Sequence, residues 1–170
     1  GVIVPLVLAT LVLRDREADR DTPEPLVNVT VRVERRDRPT IAEIRHDYGD
    51  KVTFSRLRHQ DVTGPTEVAQ EQDELKFDDL VSVVGPKSLV DTLARDLGHR
   101  SSHNLTTDRG ELDFRRIALS RRILAGRTLD NLHLDRFGAS VSRVRRGDVD
   151  IVAHDGFVVQ LGDRLRVVAP

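Results

Sequence analysis

The sequence has 170 residues, of which 32% are charged, yet its formal net charge is only -1. Nucleic-acid-binding proteins and polybasic membrane-binding segments carry an excess of Lys and Arg, so this balance argues against nucleic acid as a partner. Cysteine is absent, which excludes disulfide frameworks and thiolate catalysis and fits a reducing, cytoplasmic compartment. The length allows one ordinary domain or two small ones.

The chain opens with GVIVPLVLATLVL, which is apolar apart from Thr10, and the charged run RDREADRD follows. A helix needs about 20 residues to span a bilayer, so this segment alone is too short to cross one. It lacks the basic region and the A-x-A site of a signal peptide. Two interpretations stay open for residues 1–20: a buried strand or helix, or the inner end of a membrane helix of a longer protein. The absence of Met also fits a piece of a longer protein.

The sequence contains an internal repeat. FDDLVSVVGP at residues 77–86 has the pattern of LGDRLRVVAP at 161–170, SRLRH at 55–59 matches SRVRR at 142–146, and RPTIAEI at 38–44 matches GRTLDNL at 126–132. Upstream, we align VNVTVRV with RRIALSR, which pairs Val29 with Ile117 and Val31 with Leu119 and predicts that Val29 and Ile117 are buried. Two copies of about 60 residues indicate a tandem domain pair, because a solenoid needs three or more repeats to bury a continuous core.

Each copy predicts the element order β-α-β-β-β, which places the protein in the α+β class. The alternation of apolar and polar residues in VNVTVRV is typical of a half-buried strand. A helix should follow, because Thr40 and Glu43 form a capping box and Gly49 can end the last turn. KVTFSRLR and ASVSRVRR alternate again and predict the second strand of each copy. The second copy repeats the helix pattern with Thr128, Leu129, Leu132 and Gly138.

The last strand of each copy follows a turn that contains an aspartate. This turn includes Asp79 in the first copy and Gly162 with Asp163 in the second. We expect both carboxylates to accept hydrogen bonds from nearby backbone N–H groups. Both aspartates are therefore predicted to be structural turn residues.

KSLVDTLARDLG at residues 87–98 predicts an amphipathic helix with Leu89, Leu93 and Leu97 on one stripe and Gly98 at its end. We expect this stripe to be exposed and available for contact between protomers. The polar segment HRSSHNLTTDRGE after it is typical of a linker. The predicted organisation is a first domain at residues 21–98, a linker at 99–110 and a second domain at 111–170.

Together these motifs resemble the TrkA C-terminal domain, also called RCK_C. The resemblance is clearest in the second copy, through LAGRTLDNL, FGASVSRVRRG and LGDRLRVVA, whereas the first copy has FDD where the family has Gly-Asp. A tandem pair behind an apolar segment is similar to the cytosolic insert of the aspartate:alanine exchanger family of bacterial transporters, where two such domains lie between two membrane bundles. The resemblance implies a position on the cytoplasmic face of the cell membrane, with a transmembrane bundle of the same polypeptide as a partner.

No motif in the sequence indicates catalysis or a bound cofactor. G-x-G-x-x-G is absent, so NAD is not expected, and GPKS at residues 85–88 lacks the glycines of a P-loop. His99 and His103 lie in the predicted linker without Cys or a carboxylate pattern around them, which favours solvated side chains over a zinc site. No Ser-His-Asp arrangement carries a nucleophile-elbow signature. We therefore expect a protein that is not an enzyme and has no cofactor or metal.

Basic side chains recur on the second predicted strand of both copies. Guanidinium groups can bind carboxylates or phosphates in a fork geometry, although surface charges paired with neighbouring acids are a more frequent use of such residues. The resemblance implies a small anionic regulator, because related domains bind such molecules, including cyclic dinucleotides, at dimer interfaces. The candidate ligand-binding residues are Arg56, Arg58, His59, Arg143, Arg145 and Arg146.

Two functions compete on these observations. The first is a cytosolic regulatory, ligand-sensing module of a bacterial membrane transporter of the ion or amino-acid/dicarboxylate antiporter type. The second is a structural module that holds transporter protomers together and binds no ligand. For both, the small size of each copy predicts a two-fold homodimer through helices or sheet edges.

Overall fold

The computed structural model describes residues 24–60, 64–107 and 112–170. They form two antiparallel sheets, one of five strands and one of four, with few helices, in agreement with the predicted α+β class. The apolar segment at residues 1–20 lies outside the described residues. Within the described ranges, no helix has the length and apolar character needed to cross a membrane.

The first sheet has the strand order β3-β2-β4-β1-β5, and two helices share a hydrophobic core with it. Its central strand β4 is buried from Leu80 to Gly85. Since β4 pairs with both β1 and β2, it connects the two sides of the sheet. The elements in chain order are β1 (Leu26–Val33), α1 (Ile41–Asp47), β2 (Thr53–Arg58), β3 (Glu67–Val68), β4 (Leu80–Pro86), α2 (Lys87–Leu97) and β5 (Gly98–Arg100).

The second sheet has the strand order β6-β9-β7-β8. Three short 3₁₀ turns lie between its first two strands in sequence. The strands are β6 (Asp113–Ala118), β7 (Ser140–Arg146), β8 (Val149–Val152) and β9 (Arg164–Ala169), and the turns are Arg122–Leu124, Asp130–Leu132 and Leu134–Phe137.

The two sheets repeat one topology. When it is read from β8, the second sheet has the order β8-β7-β9-β6, which corresponds to β3-β2-β4-β1 in the first sheet. The pairing of β2 with β4 shifts register between Phe54 and Arg56, and the pairing of β7 with β9 shifts between Val141 and Arg143. Because a β-bulge is a specific local feature, its recurrence at the same place supports the tandem arrangement.

The hydrogen bonds of the first strand show that our alignment of this strand was wrong by two residues. Val33 N–H donates to Asp79 O at 2.9 Å, and Leu119 N–H donates to Asp163 O at 2.8 Å, so Val33 corresponds to Leu119. Ile117 therefore corresponds to Val31. The shift keeps every side chain on its face, because strand side chains alternate with period two.

The expected burial of Ile117 is also wrong, because its side chain is 47% exposed. Val31, its equivalent, is fully buried. Strand β1 contacts α2 and pairs with β5 along its outer edge, whereas no described residue pairs with the outer edge of β6. Val29 is half-buried and packs against the first core.

The stripe on α2 faces the first core and not a partner. Leu93 and Leu97 are buried, and Leu89 packs partly against the same cluster. The expectation of an exposed stripe on this helix is therefore wrong, because the sheet of the same copy already covers it. Burial of a Leu side chain contributes roughly 1.5–3 kcal/mol to the free energy of unfolding. This helix is therefore an integral part of the first half of the protein, which comprises the first sheet and its two helices.

The α-helix predicted in the second copy is replaced by 3₁₀ turns. In the first copy Thr40 caps α1, and Glu43 completes the capping box. In the second copy Asn131 occupies the position of Glu43, and its N–H donates to Thr128 Oγ1 at 3.4 Å. His133 then adopts a left-handed conformation with φ of 50°, which interrupts an α-helix. The prediction was wrong here because a capping threonine alone does not maintain a helix.

Candidate functional site between the two sheets

The two halves meet through the sheet faces that point away from their cores. Strand β2 contacts β7, and β1 contacts β8. A small apolar cluster of Val68, Leu112 and Val168 joins the first sheet to the second. This contact surface also includes Arg56 of β2 and Arg143 of β7, two of the basic side chains singled out in the sequence, and it is the candidate site.

The segment predicted as a linker begins on the first sheet. Gly98–Arg100 forms β5, and Ser101 N–H donates to Thr30 O at 2.8 Å. Leu105 is fully buried, and its N–H donates to Thr30 Oγ1 at 3.0 Å. The start of this segment is therefore packed on the first sheet. The division into domains at residues 21–98 and 111–170 stays a prediction.

The two histidines of this segment have different neighbours. His99 Nδ1 lies 2.8 Å from Glu34 Oε1, and His103 Nε2 lies 3.1 Å from an Arg58 nitrogen. Among the described residues, no group of three or more His, Cys, Asp or Glu side chains is placed to hold a metal ion.

The candidate ligand residues of the first copy have partners within the protein. Arg56 is buried and donates to Leu105 O at 3.1 Å. Arg58 is also buried and donates to Thr66 Oγ1 through two nitrogens, at 2.6 and 3.1 Å. His59 is half exposed, and its Nδ1 lies 3.0 Å from Asp79 Oδ2. These contacts hold β2 against the segments on either side of it.

The candidate residues of the second copy differ in how far they are engaged. Arg146 donates to Asp163 from Nε at 2.9 Å and from Nη2 at 2.8 Å. Arg145 is exposed. Arg143 lies 3.7 Å from Asp150, while its buried Nε has no hydrogen-bond partner among the described residues. Arg143 therefore has a buried donor that no described residue satisfies.

The two turn aspartates occupy equivalent buried positions. Asp79 accepts hydrogen bonds from the N–H groups of Gln60 at 3.1 Å and Lys76 at 2.8 Å. Asp163 accepts one from Gln160 N–H at 2.8 Å. The bidentate contact with Arg146 holds the pKa of Asp163 below its ordinary value. Gly162 precedes Asp163 with φ of 87°, a conformation that favours glycine.

Three arginines form a row across the second sheet on the face that meets the first half. Arg166 is the register partner of Arg116 on one side and of Arg143 on the other, and register partners in a sheet share a face. The guanidinium of Arg166 lies 4.2 Å from the centre of the Phe114 ring, a cation–π contact. We call Arg116, Arg166 and Arg143 the arginine row.

Electrostatic repulsion acts within the arginine row. Burial lowers the pKa of the Arg166 guanidinium, and the charges of its two row neighbours and of Arg56 lower it further. Arg56 thus adds a charge from the first sheet to a row on the second. Sequence reasoning identified Arg56 and Arg143 but missed Arg116 and Arg166, because their proximity depends on strand register. The alternation in RLRVVA was the available signal, since it places Arg164 and Arg166 on the face opposite Leu165.

Comparisons with known proteins bear mainly on the second half. Residues 115–170 match the TrkA-C domain, which covers the second sheet from within β6 to its end. The chain is 43% identical over 152 residues to an uncharacterized transporter of Geobacter sulfurreducens, covering 85% of this chain and 27% of that protein. It is 41% identical over 122 residues to an uncharacterized transporter of Cutibacterium acnes, covering 71% of this chain and 23% of that protein.

A third relative is aligned with almost the whole chain. This uncharacterized transporter of Symbiobacterium thermophilum is 34% identical over 180 aligned positions, which cover 99% of this chain and 33% of that protein. The chain thus spans about a quarter to a third of the length of these three relatives.

Proposed function

We propose that this chain is a ligand-sensing regulatory module of a larger bacterial membrane transporter of the antiporter type, and that it has no catalytic activity. The TrkA-C match at residues 115–170 and the names of the relatives support the regulatory role. In this proposal the module lies at the cytoplasmic face of the membrane, and the transmembrane bundle of the same polypeptide is its direct partner.

The proposed regulator is a small anion that carries carboxylate or phosphate groups. The observation that carries this proposal is the arginine row, in which like charges face each other directly across neighbouring strands. Such pairs are destabilising in a sheet. A bound oxyanion would reverse this effect, because guanidinium groups bind carboxylate and phosphate in a fork geometry. Arg143 Nε, which has no described hydrogen-bond partner, supplies one donor.

Binding at the row would couple the two halves. Arg56 belongs to β2 of the first sheet, and its charge acts on Arg166 of the second. An anion attracted to both arginines would favour arrangements in which the sheets stay close. A ligand shifts a conformational equilibrium by its difference in affinity for the two states, so this coupling gives a route from the ligand to the attached membrane bundle.

Thermal unfolding of the full 170-residue chain with phosphate, succinate or a cyclic dinucleotide tests this function. A ligand at about 100 times its Kd stabilises the native state by about 2.7 kcal/mol, which raises Tm by roughly 5–10 °C for a chain of this size. Arg166→Gln should abolish the shift. Arg115→Gln is the matched control, because Arg115 is exposed and precedes Arg116 on β6 without belonging to the row. The proposal fails if no anion raises Tm, or if both variants respond alike.

The alternative function, a structural dimerisation module, is favoured by a different observation. Strand β6 lies at the edge of its sheet, and its Phe114 and Ile117 side chains are 40% and 47% exposed. An open edge with apolar side chains is suited to pairing with another chain. A two-fold homodimer of standard interface size would bury about 1,200–2,000 Å².

Sedimentation of the full chain in the micromolar range separates the two functions. A dimer that Ile117→Glu dissociates, without any stabilisation by anions, supports the structural module. A monomer at all concentrations contradicts the dimer. Arg136→Glu serves as the control, because Arg136 is exposed and lies outside β6.

A further inference from the structure

A cavity of about 310 Å³ lies between the two halves, apart from the arginine row. Its walls include apolar side chains of both halves, among them Ile41 and Phe54 from the first and Leu129 and Val141 from the second. Its volume is at the lower end of the range for small-molecule sites, which is about 300–1,000 Å³. The cavity is thus large enough for a small organic molecule.

The two halves contribute equivalent residues to this cavity. Arg56 is the register partner of Val68 in the first sheet, and Arg143 is the register partner of Val152 in the second. Val68 and Val152 are therefore equivalent, and so are the residues three positions after each of them. These residues are Glu71 and Asp155, and both line the cavity. Thr53 and Ser140 are a second equivalent pair in its wall. The cavity therefore lies where the two copies present the same surface to each other.

Negative charge exceeds positive charge around the cavity. Its lining includes four carboxylates, whereas Arg45 is the one Arg or Lys among the described lining residues. Arg45 is already engaged: it forms an ion pair with Glu71, lies 3.4 Å from Asp50 and lies 3.9 Å from Asp155. The remaining carboxylates of the lining are Asp130 and Asp135.

The contact between Glu71 and Asp155 brings two carboxyl groups together at the joint between the halves. Both side chains are about half exposed, at 47% for Glu71 and 60% for Asp155. Partial burial raises the pKa of Glu71, and Asp155 adds to this effect through its charge and a hydrogen bond, against the opposing effect of Arg45. Ser140 Oγ is buried in the same wall and has no hydrogen-bond partner among the described residues. The wall of the cavity therefore contains hydrogen-bond acceptors of two kinds, the carboxylates and this hydroxyl oxygen.

We propose that this cavity binds a small organic cation that carries a primary ammonium group. The ammonium nitrogen supplies three donors, which suit the carboxylates of Glu71 and Asp155 and the hydroxyl of Ser140. The hydrocarbon part packs against Phe54 and Leu129. A metal ion alone is a poorer match, because the described residues contain no group of three or more His, Cys, Asp or Glu side chains placed to hold one.

Isothermal titration of the full chain with 1,4-diaminobutane tests the proposal, with 1,4-butanediol as a neutral probe of the same carbon chain length. We expect saturable binding of the diamine and none of the diol. Glu71→Gln and Asp155→Asn should each weaken diamine binding by about tenfold or more, the effect of losing a charge-assisted hydrogen bond.

Glu74→Gln is the matched control, because Glu74 is exposed, lies three residues from Glu71 and is not part of the cavity lining. Circular dichroism establishes that each variant is folded before titration. The proposal is overturned if the diamine does not bind, if the diol binds equally well, or if Glu74→Gln weakens binding as much as Glu71→Gln. Anion binding at the arginine row is measured with separate ligands and variants, so either proposal can fail alone.

Discussion

Replacement of Asp163 by Asn should destabilise the second half without a change in shape. The Asp163 side chain is 1% exposed and accepts hydrogen bonds from two nitrogens of Arg146, at 2.9 and 2.8 Å, and from Gln160 N–H at 2.8 Å. Asparagine has one acceptor oxygen and a donor amide, so at least one of these contacts becomes donor against donor. A donor of Arg146 or the N–H of Gln160, in the buried turn before β9, would then lack an acceptor.

The magnitude follows from the nature of these bonds. A hydrogen bond to a charged group contributes about 1.5–3 kcal/mol, and a buried donor left without a partner costs about 1–3 kcal/mol. Because the Arg146 side chain is 36% exposed, water can replace part of what it loses. We therefore expect a loss of about 2 kcal/mol, or roughly 4–8 °C in Tm for a chain of this size.

The pH dependence gives an independent check. Arg146 lowers the pKa of Asp163 in the folded state from its ordinary value of 3.8, so the unfolded state binds a proton more readily. The stabilisation by Asp163 is then complete well above pH 3.8 and is lost as the pH falls through the folded-state pKa. The difference between the wild type and Asp163→Asn should shrink on acidification below the ordinary value.

Urea denaturation at neutral and acidic pH measures both effects, with an unchanged m value for a purely energetic loss. Asp148→Asn is the control, because Asp148 is exposed on the neighbouring turn. A change of less than about 0.5 kcal/mol, the range of ordinary surface substitutions, would refute the structural role of this carboxylate. So would a difference from the wild type that persists in acid.

Three further predictions concern the first half and the joint. Leu93→Asp should unfold the first half and not merely dissociate a dimer, since Leu93 is fully buried; circular dichroism should lose helical signal. Gly98→Ala should lower the free energy of unfolding, measured by urea denaturation, by about 1–3 kcal/mol, because the added Cβ would lie 2.2 Å from Arg32 O. Gly156→Ala is its control, because a Cβ there has no atom closer than 3.5 Å. Stability should decrease as pH rises from 4.5 through the raised folded-state pKa of Glu71, and Glu71→Gln should remove that decrease.

Local motifs were sufficient to predict the repeat and most of the sheet structure. The alternating strands, the capping box at Thr40 and the aspartate turns each depend on residues close in sequence, and the structure contains all of them. The 3₁₀ turns that replace the predicted α-helix of the second copy could not be predicted in the same way. His133 adopts a left-handed conformation there, and histidine is not one of the residues that routinely adopt it.

The candidate site depends on contacts between distant strands, which the sequence could not supply. The arginine row requires the register of Arg166 with Arg116 and Arg143. An alignment error of two residues, such as ours for β6, keeps the face of each side chain but changes its neighbours. The stripe on α2 was misassigned for a related reason. Periodicity identifies an apolar face, such as that of Leu93, but not the element that covers it.

Equivalent rows of side chains in the two sheets differ in charge. In the first sheet, Ser82 is the register partner of Arg56 on one side and of Thr30 on the other. This row has a single charge. Leu105 N–H donates a hydrogen bond to Thr30 Oγ1 at its end. In the second sheet arginines replace both the serine and the threonine. The turn aspartates, in contrast, are the same in both copies and serve the fold. A stable sheet does not require three adjacent guanidinium groups, as the first row shows, and Asp150 and the Phe114 ring are contacts of the second row within this half. The proposed anion site therefore depends on this difference between the two rows.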